Sequence, residues 1–179
     1  MRKIIFSLPF LCLYFSSFSQ QTIPVDEETK QALIKEVVDV PGATKAELYD
    51  RALAWINKFY PNPTGMVQTK DMETGEIVGK AQFRINGKDT KGVETYDGMV
   101  AYIITLSFKD AKFKYEISRI RWVQASYYDV SKWMDTKDQY YKSESYPGYI
   151  DQTNKYFDNL KTELKKAVKS PPAKKKDDW

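Results

Sequence analysis

Three stretches between residues 76 and 122 alternate apolar or small side chains with polar ones, with a period of two residues. The alternation runs from Ile77 to Ile85, again from Val100 to Phe108, and a third time from Phe113 to Ile117. A period of two is typical of β-strands that bury one face and leave the other face in water. The chain is therefore expected to fold around an antiparallel sheet that is covered on one side only.

The third stretch changes its register after Ser118, because Ile120 and Trp122 hold the apolar positions from there on. One extra residue in a strand produces this change, and it also bends the strand. The sequence therefore predicts a β-bulge near Ser118 and Arg119.

Further elements precede and follow these three strands. Residues 34–40 are short and β-branched, which predicts a strand, and Met66 to Asp71 is expected to pair with 76–85 across a turn at Gly75. Residues 86–98 are polar and are predicted to be a loop. Two helices are predicted from apolar side chains at helical spacing, Lys45–Tyr60 and Tyr149–Val168. Thr44 and Glu47 have the spacing of a capping box at the start of the first helix, and Pro61 ends it.

The predicted order of elements is β-α-β-β-β-β-α, an α+β arrangement with a curved antiparallel sheet and two helices packed on one face. This order resembles the fold of the TATA-binding protein (TBP). The sequence also resembles a bacterial family of exported proteins known only as a domain of unknown function with a TBP-like fold. The resemblance covers about residues 34–123 and rests on residues 38–42, 44–49, 52–55, 77–83 and 113–117. It implies a fold and a location in the cell envelope, but it brings no activity and no residue roles.

The N-terminus has the pattern of a secretory signal peptide. Arg2 and Lys3 precede an apolar run from Ile4 to Phe15, and cleavage after Ser19 would remove residues 1–19. That run is too short to span a membrane, which takes about 20 residues. We therefore expect a protein exported to the periplasm or cell surface, with no transmembrane anchor after cleavage. A flexible lead-in (20–30), one domain (31–169) and a disordered basic tail (170–179) are predicted to follow.

The formal net charge of +4 belongs to the two ends of the chain. Residues 21–164 contain 20 basic and 22 acidic side chains. A nucleic-acid-binding domain of this fold needs a basic sheet face, so we predict no nucleic-acid partner.

The sequence also lacks most catalytic and metal-binding side chains. It contains no histidine, and its one cysteine, Cys12, lies within the predicted signal peptide. This excludes histidine- or cysteine-dependent hydrolysis and zinc sites of the usual ligands. We predict no catalytic residues, no metal and no cofactor. One alternative is a carboxylate-dependent hydrolase, for which Glu94 with Asp97 or Asp135 with Asp138 are the candidate pairs.

Ten aromatic side chains lie between Trp122 and Phe157. Tyrosine and tryptophan combine a flat apolar surface with a polar tip, which suits protein interfaces and sugar rings. The predicted loop 124–148 therefore has two interpretations, a binding site or a segment whose rings fill the core. The candidate binding residues are Tyr127, Tyr128, Trp133, Tyr140 and Tyr141.

The sequence thus favours a non-catalytic binding or assembly module of the cell envelope. Its expected partner is an envelope protein, a peptide or a glycan, held by the exposed sheet face and the aromatic loop. The alternatives are the carboxylate-dependent hydrolase and a small carrier that holds an apolar ligand between the sheet and the last helix. The oligomeric state stays open.

Overall fold

The computed structural model describes residues 22–124 and 127–170, with the backbone alone of Tyr127. The strands in these ranges are β1 (Ile34–Asp39), β2 (Val67–Asp71), β3 (Glu76–Lys88), β4 (Glu94–Lys109), β5 (Lys112–Val123) and β6 (Tyr127–Asp129). The helices are α1 (Lys45–Phe59), α2 (Pro63–Met66) and α3 (Tyr146–Lys169), and a 3₁₀ helix spans Val130–Met134. The predicted signal peptide and all but the first residue of the predicted tail lie outside the described residues.

The six strands form one antiparallel sheet in the order β1-β5-β4-β3-β2, and β6 also pairs with β5. β1 pairs with residues 112–117 of β5, and β6 pairs with residues 121–123 farther along the same edge. The long helices α1 and α3 pack together over one face of the sheet. The α+β class and the TBP-like order of elements predicted from the sequence are confirmed.

The predicted bulge lies in β5, between the residues that pair with β1 and the residues that pair with β6. In β4, Ala101 and Ile103 are two positions apart, whereas their partners in β5, Arg121 and Ser118, are three apart. The extra residue is accommodated at Arg119, which has a φ of 50°. The bulge therefore turns the apolar side chains of the last part of β5 back toward the helices.

Helix α1 begins and ends where its local sequence predicts. Thr44 accepts a hydrogen bond from the Glu47 amide, and Glu47 accepts one from the Thr44 amide at 2.8 Å. The helix ends at Phe59, two residues before Pro61, since proline lacks an amide hydrogen and disfavours a helical residue before it. The buried face of α1 consists of Leu48, Tyr49, Ala52, Trp55 and Ile56.

The core lies between the two long helices and the sheet. From the sheet, it contains the alternate residues of β4 from Val100 to Phe108 and of β5 from Phe113 to Ile117. From α3, it contains Phe157, Leu160, Leu164 and Val168, none of them more than 1% exposed. These side chains lie under α3, in the region where an apolar-ligand carrier would hold its ligand.

One sequence prediction about an irregular segment is wrong. Residues 86–98 are mostly strand, because β3 continues to Lys88 and β4 begins at Glu94. The predicted lead-in contains Ile23, which is 1% exposed, and Pro24, whose carbonyl accepts a hydrogen bond from the Leu33 amide at 2.9 Å.

Candidate binding surface

The face of the sheet opposite the helices is open over the described residues. The outward side chains of β3, β4 and β5 remain exposed or half-buried along the length of these strands. We call this surface the open face, and its outward residues are Val78, Lys80, Gln82, Arg84, Met99, Ala101, Ile103, Thr105, Ser107, Lys114, Glu116, Ser118, Arg121 and Val123. It forms because the strands alternate and both long helices lie on the other side.

One half of the open face carries three cations whose neighbours in β4 are uncharged; the acidic register neighbour is Asp129 of β6, which pairs with Arg121 and whose Oδ1 accepts from the Ala32 and Ser131 amides. Lys80 lies beside Ile103, and Arg121 lies beside Ala101, whose other neighbour is Gln82. Arg84 follows in the next row, beside Met99, which pairs with Val123. We call Lys80, Arg84 and Arg121 the basic half of the open face. None of the three forms an ion pair within 4.0 Å among the described residues, although Arg121 lies opposite Asp129, so together they can attract an anionic group.

The other half of the open face is electrically mixed. Lys114 Nζ lies 3.7 Å from Glu116 Oε2, and both side chains are partly exposed. Glu76 extends this half at the Ser107 row, beside the edge of the sheet. Opposite charges at such spacing neutralise one another, and exposed pairs of this kind contribute little to stability. The charge of the open face is therefore concentrated in its basic half.

An exposed tyrosine borders the basic half. Tyr96 is 58% exposed, and the Arg84 guanidinium carbon lies 5.0 Å from the centre of its ring. Asn86 holds Arg84 from the other side by accepting a hydrogen bond from Nε at 2.6 Å. Arg84 is thus oriented by two neighbours, although it stands on an exposed surface. Sequence reasoning missed Tyr96, which lies in the segment predicted to be a loop.

The candidate residues of the aromatic loop do not share one environment. Trp133 is 0% exposed, Tyr128 and Tyr141 are half-buried against the core, and Tyr140 is 70% exposed. The side chain of Tyr127 lies outside the described residues. The structure therefore brings Trp133, Tyr128 and Tyr141 to the core and leaves Tyr140 apart from them on the surface.

The reason is that residues 124–148 are not one long loop. Strand β6 pairs with the end of β5, and Asp129 caps the following 3₁₀ helix by accepting from the Ser131 amide at 2.9 Å. This turn directs the Trp133 ring toward Trp122, with the ring centres 5.7 Å apart. The interpretation that the rings of this segment fill the core fits Trp133, whose side chain is fully buried.

The carboxylates proposed for hydrolysis at residues 135 and 138 act in local turns. Asp135 accepts from the Lys137 amide at 3.2 Å, and Asp138 accepts from the Tyr140 amide at 2.8 Å. Carboxylates that accept from nearby amides in this way stabilise the turn itself. This pair therefore gives the hydrolase alternative no support.

Three tyrosine hydroxyls form a buried chain between the helices and the sheet. Tyr102 lies in the middle, 3.1 Å from the Tyr60 oxygen and 2.9 Å from the Tyr156 oxygen. Burial raises the pKa of Tyr102 far above its ordinary value of 10.0. The chain ties Tyr60, at the C-terminal end of α1, and Tyr156 of α3 to β4.

Known proteins with similar sequence or structure share the fold described above. Residues 35–122 match the family model described as "Domain of unknown function (DUF4468) with TBP-like fold". Residues 35–122 of this chain are a DUF4468 domain. A search of curated proteins finds no match. The matched residues of the DUF4468 domain span β1 through most of β5, which includes nearly all of the open face.

Two solved structures share the fold of this chain. A DUF4468 family protein from Bacteroides ovatus is 18% identical, with a TM-score of 0.65, and the match covers 84% of this chain and 94% of that chain. A TBP-like protein from Parabacteroides distasonis is 14% identical, with a TM-score of 0.66, over 83% of this chain and 98% of that chain. At these identities the likeness concerns the fold alone.

Proposed function

We propose that this protein is a non-catalytic binding or assembly module of the cell envelope, and that its open face meets the partner. The observation that carries the proposal is the basic half of that face. Lys80 and Arg84 extend from β3 and Arg121 from β5, on either side of the small and apolar outward side chains of β4. A flat, fixed array of this kind suits recognition of an extended or broad partner.

The charge of the basic half favours a partner with an acidic surface. Arginine is enriched at protein interfaces and forms paired hydrogen bonds with carboxylates, and Arg84 is already oriented by Tyr96 and Asn86. We therefore favour an acidic region of an envelope protein or peptide over a neutral glycan. Tyr140, which is exposed, is a second residue that can contact the partner.

Export to the periplasm or cell surface is part of the proposal and is supported by the signal-peptide pattern of residues 1–19. None of the helices in residues 22–124 and 127–170 is long and apolar enough to cross a membrane. Cell fractionation followed by mass spectrometry of the mature N-terminus tests export. A first residue of Gln20 in the envelope fraction is the expected result, and a full-length cytoplasmic chain would contradict it.

A charge-reversal comparison tests the binding surface. The first variant carries Lys80→Glu, Arg84→Glu and Arg121→Glu, and the second carries three reversals at exposed lysines elsewhere, Lys30, Lys137 and Lys155. Both variants change the net charge equally. Crosslinked partners from envelope extract are identified for each variant by mass spectrometry, and binding is then measured with the purified partner.

We expect the open-face variant to lose its partner and the second variant to keep it. Equal loss in both variants would show that only net charge matters, and full retention in both would refute the open face as the binding surface. Circular dichroism establishes that each variant is folded before binding is compared.

A further inference from the structure

A cleft of about 320 Å³ lies between α1 and α3, on the helical side of the molecule. Its walls include three basic side chains, Arg51, Lys58 and Lys166, and one acidic side chain, Glu163. The apolar part of its lining comes from Ala54, Trp55 and Ala167. The cleft therefore combines a positive charge with an apolar and aromatic wall.

Arg51 is a largely buried cation in the wall of this cleft. Its side chain is only 10% exposed, although burial of a charge without a full partner is costly. Its Nη1 donates to the Val168 carbonyl at 3.2 Å, and its Nε has no hydrogen-bond partner among the described residues. A carbonyl oxygen carries only partial charge, so this bond does not neutralise the guanidinium.

The carboxylate that pairs with Arg51 is held at a distance. Glu47 Oε1 lies 3.8 Å from Arg51 Nη2, beyond hydrogen-bond distance. Its other oxygen accepts from the amide and the hydroxyl of Thr44, at 2.8 and 3.0 Å, in the capping box. Glu163 lines the cleft but forms no ion pair with Arg51 within 4.0 Å among the described residues. Arg51 is thus a largely buried cation whose one ion pair, to the 53% exposed Glu47, is too long for a hydrogen bond.

Trp55 adds a second unpaired donor to the same wall. The residue is 4% exposed, and its indole Nε1 is buried without a hydrogen-bond partner among the described residues. One face of the indole packs on Phe59, with ring centres 5.0 Å apart. Most buried N–H groups in proteins have a partner, so two unpaired donors on adjacent turns of one helix point to an acceptor that belongs there.

We propose that this cleft binds a small organic carboxylate with an apolar or aromatic body. The carboxylate compensates Arg51, with Lys58 and Lys166 at the rim, and the body contacts Trp55 and Ala167. The site lies on the helical side and shares no residue with the open face, so it is independent of the proposed function. Its occupancy joins α1 to the C-terminal turn of α3.

Three matched probes separate the two parts of this recognition. Phenylacetate has both the charge and the body, phenylacetamide has the body alone, and acetate has the charge alone. The indole N–H signal of Trp55 in a two-dimensional ¹H–¹⁵N NMR spectrum reports binding, and Trp55→Phe assigns it. We expect a saturable shift with phenylacetate and binding at least about tenfold weaker for the other two, because hydrogen bonds to charged groups and buried apolar contacts each contribute at this level.

Variants test which residues provide the site. We expect Lys58→Met with Lys166→Met to weaken phenylacetate binding several-fold, Glu163→Gln to strengthen it, and Lys155→Met to leave it unchanged. These side chains lie outside the core, so the comparison holds even where Arg51→Met fails to fold. No saturable shift with phenylacetate, equal binding of phenylacetamide, or equal effects of the Lys155 and Lys58/Lys166 variants would each overturn the proposal.

Discussion

Replacing Trp133 by alanine tests whether the buried ring of this residue stabilises the core. The ring is fully buried, with its centre 5.7 Å from that of Trp122, 5.5 Å from Tyr149 and 6.1 Å from Tyr146. Removing a buried tryptophan leaves a cavity among these rings and costs about 3–5 kcal/mol of the free energy of unfolding. Since small domains have only about 5–15 kcal/mol in total, the variant is expected to be close to unfolding.

Phenylalanine at position 133 should be far milder. It keeps an aromatic ring in the cluster, and it removes an indole N–H that has no acceptor among the described residues. We expect a cost of about 1–2 kcal/mol, because the lost ring volume is partly offset by the removal of an unpaired buried donor. The difference in the free energy of unfolding between the alanine and phenylalanine variants therefore measures the packing of the ring by itself.

Urea unfolding followed by far-ultraviolet circular dichroism measures both variants without relying on tryptophan fluorescence. Tyr140→Ala is the control, because Tyr140 is 70% exposed and its loss should change stability by less than about 0.5 kcal/mol. A cost below about 1 kcal/mol for Trp133→Ala would refute the assignment of Trp133 to the core. Equal costs for the alanine and phenylalanine variants would refute the packing argument.

Three further substitutions test separate parts of the fold. Gly98→Ala should cost at least about 1–3 kcal/mol in chemical unfolding, because Gly98 has a φ of 112° and an added Cβ would lie 2.7 Å from the Trp122 indole nitrogen. Thr44→Ala should cost about 1 kcal/mol in the same assay by removing the cap of α1. Glu36→Gln should lower the free energy of unfolding by less than about 1 kcal/mol, because the Glu36 side chain is 43% exposed. We expect this loss only at neutral pH.

The pH dependence of the Glu36 prediction follows from its pKa. The Tyr115 hydroxyl donates to Glu36, and with Lys165 nearby it lowers the pKa of this carboxyl below its ordinary value of 4.5. A lowered pKa gives stability that is present above pH 4.5 and is lost as the pH falls through the folded-state pKa. Unfolding curves of wild type and Glu36→Gln should therefore converge at acidic pH, and a constant difference would contradict this assignment.

Each of the other two substitutions has its own control. Gly92→Ala, at a glycine with positive φ and an open surrounding, separates backbone strain from the contact with Trp122. An equal cost at Gly92 and Gly98 would contradict the steric part of that prediction. Thr44→Ser keeps a capping hydroxyl and should be nearly neutral, and a cost equal to that of Thr44→Ala would show that the hydroxyl is not what matters.

The parts of the fold that depend on local signals were predictable from the sequence. Helix α1 was predicted to within one residue at its C-terminal end, because its capping box and Pro61 act within a few residues of the ends. The bulge at Arg119 was predictable because a change of alternation has few other causes. The same change also implies that Arg121 faces outward, a consequence that completes the basic half of the open face.

The parts that depend on distant contacts were not predictable. Ile23 is one apolar residue in a polar segment, and its burial depends on a neighbour as far along the chain as Met134, whose sulfur lies 3.2 Å from the Ile23 amide nitrogen. Trp133 has the composition of a binding residue and the location of a core residue, because the same ring suits both environments. The cleft between α1 and α3 depends on distant contacts such as the hydrogen bond from Arg51 to the Val168 carbonyl. No short sequence pattern connects these two residues.

The shared outer edge of β5 has a consequence for the order of folding. The strands β3, β4 and β5 follow one another through short turns, whereas Ile34 of β1 must find Ile117 across most of the domain. Local pairings close faster than distant ones. We therefore expect β3, β4 and β5 to form a central meander first, with β6 joining early because it begins at Tyr127, four residues after β5 ends. The β5 edge at residues 112–117 stays unpaired until β1 arrives. Until then that edge is open to a β1 strand from another copy, so slow refolding at high concentration should favour strand-exchanged dimers.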